Sequence, residues 1–477
     1  MIYLQRLVLR QNKVIQDLTL DFNGLKPMTV LIGENGSGKT TVLESLTAIF
    51  AALYQLVDGH KVTAPAFDFE LTYLIKTEEL IEETSMSRSD KTNFVEVIVS
   101  GERNVVASIK TIVGDNANRP LTKDLLPNLV IYYPGSSDTL LHTYQRFEQN
   151  SLDRLRSKPS NSVDAFSRIK EFPIFYYQNQ HFDMLLATLL AFEYGDVPQF
   201  LTNNLNISLI NNSSIGLYIK PKQFKKDVGI NEFWGSEGEV LRFLNFIREH
   251  ADYEILNKKG VANNRLSFFF TQQGWYQLRE QYVDEKSLFL MLNMLDASNL
   301  LGGFNIALRR NGNLFPHFFL SEGERQRIII KGLAELLFSD HTLFLLDEPN
   351  VFMHPSWQNN FMEELSEYTN RANFIITTHS PIILSSIKDG HLIRMYAGQG
   401  EPIVGHYYGR QYSDNLEDFM GTPSRIAAVS EELRILFDMI DNEQYSDATS
   451  KLKELQKKYG SDDSDLIRAQ AMLNFYQ

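Results

Sequence analysis

From Ile2 to Phe22 apolar and polar residues alternate (Ile2, Leu4, Leu7, Leu9, then Leu18, Leu20, Phe22) around a polar break at Gln11 to Lys13. A period of two predicts a pair of half-buried strands in an edge layer. Met28 to Ile32 is instead a continuous apolar run, read as a buried strand. Gly33 to Gly38 forms a glycine-rich turn, and Val42, Leu43, Leu46 and Ile49 then recur at helical spacing within Thr40 to Leu53. Strand patterns at Phe67 to Ile75, Asn93 to Val99 and Val105 to Val113 predict an antiparallel layer beside that turn.

Between about Ser136 and Arg310 the pattern is mixed. Helical runs at Phe182 to Phe192 and Val240 to Ile247 alternate with short strands at Ile207 to Ile219 and Leu266 to Phe270, separated by polar breaks such as Asn203-Asn204 and Asn211-Asn212. From Leu320 a helix is expected through Phe338, then a buried strand Thr342 to Leu346, a helix from Pro355 to Thr369 and a second buried strand Phe374 to Thr378. These apolar runs predict a parallel α/β layer. Beyond Gly421 three amphipathic segments, Ile426 to Ile440, Tyr445 to Lys458 and Ser464 to Tyr476, predict a separate helical tail.

The 477 residues are 43% hydrophobic and 22% charged, which places the chain among ordinary globular proteins and not disordered ones. The absence of cysteine excludes disulfides, thiolate metal sites and thiol nucleophiles. No apolar run in the sequence reaches the roughly 18 to 20 residues of a membrane span, and Met1 opens a strand-like segment with no charged-then-apolar leader, so a cytoplasmic protein is expected. A net charge of −13 repels nucleic-acid phosphates as a whole and leaves only local basic patches for them: Lys220, Lys222, Lys225 and Lys226 around Phe224, Lys258-Lys259, and Arg309-Arg310.

Four segments carry candidate chemistry. Gly33-Glu34-Asn35-Gly36-Ser37-Gly38-Lys39-Thr40 matches G-x-x-x-x-G-K-[ST] and stands between a strand and a helix, the context a phosphate loop requires. Its glycines let backbone N–H groups turn inward around phosphate oxygens. Lys39 is placed to reach the β- and γ-phosphates of ATP and Thr40 to ligate Mg²⁺, and Thr41 is expected among the nucleotide-binding residues. Asp347 and Glu348 end an apolar strand, so Asp347 is the expected Mg²⁺-orienting carboxylate and Glu348 the group that aligns and polarises the attacking water. Ser321 and Gly323, within Leu320-Ser321-Glu322-Gly323-Glu324, open a helix whose N-terminal amides can face an anion. Ser-x-x-Glu is also a capping box. His379, in Thr377-Thr378-His379-Ser380-Pro381, follows the second buried strand, and Asn350 to Pro355 occupies the stretch between them.

Together these segments resemble the ABC-ATPase heads. Leu320 to Glu324 resembles the signature L-S-G-G-Q, with acidic residues at the third and fifth positions as in SMC-type and Old-family heads. The resemblance implies that Ser321 and Gly323 meet the γ-phosphate held by the opposite subunit, that His379 is the switch histidine, and that Asn350 to Pro355 is a D-loop at a dimer interface. The glutamine that the family supplies to Mg²⁺ has no clear match. Candidates are Tyr132-Tyr133-Pro134-Gly135-Ser136-Ser137, which looks like a segment of prokaryotic defence ATPases, and Gln178 and Gln180.

The stretch from Thr41 through Leu320 spans 280 residues without sustained heptads, so a compact insertion is expected in place of coiled-coil arms. Only 97 residues follow Ser380, with no acidic cluster of Toprim type, so no intrinsic nuclease is expected. The expected organisation is an α/β P-loop head with a mixed sheet and an antiparallel β layer: head lobe I at 1–135, the insertion at 136–310, head lobe II at 311–420 and the helical tail at 421–477. That organisation resembles the PtuA ATPases of Septu and retron-linked antiphage systems. The resemblance implies a head-to-tail homo-oligomer that hydrolyses ATP and regulates a small HNH nuclease resembling PtuB, with DNA reached through the complex. A stand-alone SMC-like DNA repair or end-tethering ATPase is the alternative. Leu433, Leu436, Phe437 and Ile440, with Leu452, Leu455, Leu466, Ala469, Met472 and Leu473, give the tail apolar faces that could dock such a partner or cover the ATPase lobe.

Overall fold

The computed structural model describes all residues except 23, 77–93, 114, 115, 118, 136, 138, 139, 146, 148–172, 210–214, 221–232, 235, 258–264, 281–283, 340 and 477. Ser136, Asn211, Asn212, Lys222, Phe224, Lys225, Lys226, Lys258 and Lys259, singled out above, therefore lie outside the described residues. The chain separates into two units, Met1–Tyr408 and Gly409–Gln477.

The first unit is built on a seven-stranded sheet in the order β19-β18-β3-β17-β16-β8-β9. Its strands are β3 (Met28–Ile32), β8 (Asn128–Tyr132), β9 (Ile174–Tyr176), β16 (Thr342–Asp347), β17 (Ala372–Thr378), β18 (His391–Tyr396) and β19 (Gln399–Pro402). All neighbours are parallel except the β18–β19 hairpin. Every residue of β3, β16 and β17 is buried, as expected for strands covered on both faces. Since β17 lies between β3 and β16, the carboxyl ends of the three strands, where the candidate motifs sit, are side by side.

A second sheet runs β2-β1-β4-β5-β6-β7 and is antiparallel throughout. It comprises β1 (Ile2–Asn12), β2 (Ile15–Asp21), β4 (Asp68–Lys76), β5 (Phe94–Glu102), β6 (Val105–Val113) and β7 (Asn116–Ala117). Helix α1 (Lys39–Val57) shares one core with both sheets, joining Leu7, Leu71 and Val97 to Ile131, Leu345 and Ile375. By length and composition α1 meets the criteria for a membrane span, contrary to the reading of the apolar runs. Most of its apolar side chains are buried inside the unit, Leu56 near its end being exposed, because a helix between two sheets must be apolar on most sides.

The insertion contributes a third sheet, β10-β14-β11-β13-β12, also antiparallel. Its strands are β10 (Ser208–Leu209), β11 (Ile215–Ile219), β12 (Tyr253–Asn257), β13 (Arg265–Phe270) and β14 (Leu301–Arg310), and β15 (Asn313–Pro316) pairs with β14. Asn311 and Gly312 join β14 to β15 with φ of 49° and 82°, the two-residue type I′ geometry that Asn-Gly favours. Helices α2 (His181–Leu189), α3 (Gly238–His250), α4 (Gln272–Glu280) and α5 (Glu285–Ala297) complete this region, and α3 and α4 pack against β13 while α2 and α5 pack against β14. Buried Trp275 of α4 makes edge contacts with Phe270 and Phe304 on the covered face of the sheet.

The second unit contains α9 (Tyr412–Asp418) and the helices α10 (Ala427–Asp441), α11 (Tyr445–Tyr459) and α12 (Ser464–Tyr476). Leu433, Leu436, Ile440, Ala448, Leu452, Leu455, Leu466, Ala469 and Leu473 form its own core. The apolar faces read as a docking surface are thus largely the interior of this bundle: short helices bury their stripes against each other first. Arg425 pairs with Asp463 and Asp465 at 2.8 Å each, which ties the start of α10 to the start of α12.

Candidate active site

The loop after β3 owes its path to glycine. Gly33, Gly36 and Gly38 have φ of 149°, 80° and 104°, and a Cβ on Gly33 would lie 2.1 Å from the carbonyl oxygen of Met395 in β18. Ala397 and Gly398, both at positive φ, turn β18 into β19, and the Gly398 N–H donates to the Ser37 carbonyl at 3.2 Å. This hairpin braces the loop from behind. The hydroxyl of Ser37 is buried without a hydrogen-bond partner among the described residues, and α1 begins at Lys39, so its first amides point into the same cradle. Lys39 Nζ donates to the carbonyls of Gly33 (2.7 Å) and Glu34 (3.0 Å). Burial lowers its pKa, partly offset by Glu348 and Asp347. Thr41 is buried beneath the loop.

Sheet order brings the other residues to this loop. Thr40 Oγ1, on α1, lies 3.1 and 3.0 Å from the two carboxylate oxygens of Asp347. Thr377, at the end of β17, donates to Asp347 at 2.6 Å. Burial raises the Asp347 carboxyl to about 6, against the two threonine hydrogen bonds. Glu348 has φ of 44°, a conformation rare for a residue with a Cβ, and is held there by its N–H, which donates to the carbonyl (3.1 Å) and hydroxyl (3.0 Å) of Thr377. Its side chain reaches Lys39 Nζ at 4.0 Å on one oxygen and His379 Nδ1 at 2.8 Å on the other. That hydrogen bond raises the pKa of His379. Lys39, Thr40, Asp347, Glu348 and His379 are thus one cluster assembled from three strand ends.

Ser321 and Gly323 have different neighbours. Ser321 caps α6 (Glu322–Leu337) in a full capping box: its hydroxyl accepts from the Glu324 N–H, and its own N–H donates to Glu324 Oε2 at 2.8 Å. The other oxygen of Glu324 binds Arg310 at 2.6 Å. The acidic fifth residue of the motif is therefore structural, tying the helix start to β14 of the insertion. A Cβ on Gly323 would lie 2.7 Å from the carbonyl of Phe352, so the glycine permits the 350–355 stretch to cross the start of α6. None of the described hydrogen bonds or ion pairs joins Ser321 or Gly323 to the phosphate loop.

Within 350–355, Asn350 is buried and accepts from Thr378 at 2.9 Å, whereas Val351 and Phe352 are exposed. His354 caps α7 (Pro355–Ser366), accepting from the Ser356 N–H at 3.2 Å. The Tyr132–Ser137 segment borders the site: Asp347 and Glu44 add to the burial that raises the Tyr133 pKa, and Ser137 donates to Glu44 of α1 at 2.6 Å. Gln180 instead binds Asp296 at 2.9 Å, and Gln178 is engaged through its N–H to His181 Nδ1. Lys220 and Arg309-Arg310 lie in the insertion and not among the residues around Asp347.

Several participants were not read from the sequence: Thr377 beneath Asp347, the β18–β19 hairpin behind the loop, and Gln326. Gln326 of α6 accepts from Tyr132 OH at 2.6 Å and donates to the Pro349 carbonyl at 2.7 Å, clamping the signature helix to the end of β16. The short apolar-rich run Leu392 to Tyr396 followed by Ala397-Gly398 is a hairpin signal that could have revealed the brace. Nothing local marks Gln326.

A model of the family described as "AAA domain, putative AbiEii toxin, Type IV TA system" matches residues 28–385. The chain is similar to the "Retron Ec83 probable ATPase" of Escherichia coli, at 27% identity over 96% of this chain and 84% of that one. It is also similar to the "Retron Vc95 probable ATPase" of Vibrio cholerae serotype O1 biovar El Tor, at 21% identity over 76% of this chain and 67% of that one. Among solved structures, the Smc head domain from Pyrococcus furiosus, bound to the C-terminal domain of ScpA, aligns with 84% of this chain and 96% of its own at 11% identity and a TM-score of 0.35.

Proposed function

The chain belongs to the family described as "AAA domain, putative AbiEii toxin, Type IV TA system", a family of ATPases, and from that premise we propose that it is the ATP-hydrolysing subunit of a prokaryotic antiphage defence complex that binds and regulates a partner HNH-type nuclease. The observation that carries the catalytic part is the convergence of Lys39, Thr40, Asp347, Glu348 and His379 at three adjacent strand ends. The unpartnered Ser37 hydroxyl and the glycine-lined cradle suit the phosphates of ATP. Thr40 Oγ1 and the Asp347 carboxylate are hard oxygen donors on rigid elements and would hold Mg²⁺. Bound there, Mg²⁺ would neutralise charge on the β- and γ-phosphates.

In this reading Lys39 exchanges the Gly33 and Glu34 carbonyls for phosphate oxygens. Glu348, held at its positive φ by the hydrogen bonds from its N–H to Thr377, accepts the hydrogen bond of the attacking water, and His379 orients Glu348 while facing the γ-phosphate. Ser321 and Glu322 are exposed beside Phe318, Phe319, Val351 and Phe352, which are 60%, 70%, 43% and 49% exposed. An exposed apolar rim around a helix N-terminus supports its use as half of a composite site on a second copy of the chain. The defence role is supported by similarity to the two retron ATPases and by the family, and the nuclease partner by the resemblance of the chain's organisation to PtuA ATPases.

Purification of the chain from its native operon, with mass spectrometry of bound proteins and an ATP turnover assay, tests both halves. ATP hydrolysis together with a copurifying nuclease supports the reading. Hydrolysis without any nuclease leaves the stand-alone ATPase, and wild-type turnover in Lys39→Ala removes the site itself.

A further inference from the structure

We propose that the face of the insertion's antiparallel sheet opposite α3 and α4 is a stacking platform for single-stranded nucleic acid. The inward face of this sheet holds Leu217, Ile219, Leu266, Phe268 and Phe270, all essentially inaccessible to solvent, and meets the helices. The opposite face carries aromatic rings as well. Tyr253 of β12 and Phe269 of β13 are direct cross-strand partners whose rings lie 4.7 Å apart at 13°, and Tyr253 is half exposed. Tyr218 of β11 meets Phe269 edge-on at 6.4 Å, and the Arg265 guanidinium lies 3.6 Å over the Tyr218 ring. The result is a contiguous row of rings and a planar cation over three strands, in which each ring packs on the next and the half-exposed Tyr253 at the edge strand offers the outer ring face on which a base can add.

Cross-strand aromatic pairs stabilise many sheets, and that alone would not name a ligand. Charge does. The protein carries a net −13, yet the outward positions of β11 to β14, alternating from Gly216, Tyr253, Arg265 and Gly303, contain no Asp or Glu, and Arg265 and the exposed Arg309 make the face positive. Glu254, the strand carboxylate next to Tyr253, turns to the helix side, where Arg248 of α3 holds it at 3.0 Å. Among the described residues no carboxylate pairs with Arg265. Lys220 follows β11 at the end of the sheet where β13 begins with Arg265. Ring faces recognise unstacked bases, and arginines recognise the phosphates between them. A duplex hides its base faces and could engage only the cations.

The test is fluorescence anisotropy of the full chain with labelled oligo(dT) and oligo(rU) of roughly 12 nucleotides, a length within the range of single-strand sites. One or both oligonucleotides should bind more tightly than a duplex of the same length, and the pair separates DNA from RNA as the source of the bases. Tyr253→Ala should weaken binding about fivefold or more, the low end for loss of one stacked base, while Tyr253→Phe retains it. Arg265→Glu should weaken binding further and flatten its salt dependence. ATP turnover, which uses none of these residues, should match the wild type in all three variants and reports on folding independently of the proposed partner. The proposal is overturned if neither oligonucleotide binds, if Tyr253→Ala binds as the wild type does, or if duplex binds equally well and only Arg265→Glu affects it.

Discussion

Two aromatic pairs with nearly the same geometry sit in two different sheets. Phe344 of β16 and Phe374 of β17 face each other across a parallel ladder with rings 4.8 Å apart at 12°. Tyr253 and Phe269 do so across an antiparallel ladder at 4.7 Å and 13°. The first pair is wholly buried; the second is partly in solvent. A parallel sheet with both faces covered has only its strand ends available for chemistry, and there the carboxylates, the threonines and the phosphate loop meet. An antiparallel sheet with helices on one side keeps a whole face for contact. Stacking geometry therefore says little about a pair's role until burial is known.

The difference is open to direct measurement, beginning with the largest effect. Phe344→Ala should lower unfolding free energy by about 3 to 5 kcal/mol, because it removes a filled ring volume from a closed core; chemical denaturation of the first unit would reveal it. A loss under about 1 kcal/mol would mean that the parallel sheet is not the closed core its burial indicates. Glu348→Gln should retain ATP binding and lower hydrolysis by about 10²-fold or more, or about 2.7 kcal/mol of barrier, as expected for a positioned base. Equal turnover would break the assignment of chemistry to the end of β16.

Gly323→Ala should cost about 1 to 3 kcal/mol of stability, or shift the 350–355 stretch, because the new methyl lies 2.7 Å from the Phe352 carbonyl. Nucleotide affinity at the chain's own phosphate loop should stay unchanged, which equilibrium binding with a fluorescent ATP analogue would show. Asp347→Asn has the opposite sign for stability. Burial raises the pKa of this carboxyl to about 6, so the folded state binds a proton more readily than the unfolded one. The ionised group's contribution to stability therefore falls as pH rises from about 4 through about 6. At neutral pH and without nucleotide or Mg²⁺, the neutral amide should raise unfolding free energy by on the order of 1 to 2 kcal/mol while abolishing Mg²⁺-dependent turnover. An unchanged or lowered melting temperature would show that the carboxylate is compensated in the folded chain. The smallest change is expected for Tyr253→Ala, about 1 kcal/mol or less, the range for one exposed cross-strand pair.

The strings that make up the candidate site were legible because their causes are local. Gly33 to Gly38 require backbone conformations that only neighbouring residues impose, and the buried strands before Lys39, Glu348 and His379 announce themselves as short uninterrupted apolar runs. The tail's three helices were legible from their 3.6-residue stripes, and the sheet pairs from alternation. What those stripes would cover was not: Leu433, Leu436 and Ile440 close on the tail's own core, since periodicity names a face and not its partner. Thr377 supports Asp347, Gln326 clamps Pro349, and Met395 presses on Gly33 only because the strand order sets residues dozens to hundreds of positions apart at hydrogen-bond or van der Waals distance. Glu324 fitted both an acidic signature variant and a capping box in the sequence; the structure shows the capping box and adds the bond to Arg310 that periodicity could not give. In the insertion, 265–270 ends in three consecutive phenylalanines, so its sequence does not name an inner face; only the packing of α3 and α4 decided that Phe268 and Phe270 are buried and that Phe269 stays partly exposed beside Tyr253. Dihedral preference and periodicity act within about one turn or one strand and are written residue by residue. The meeting of distant side chains depends on sheet order and register, which minimise exposed apolar area over the whole chain and exist only once it has folded.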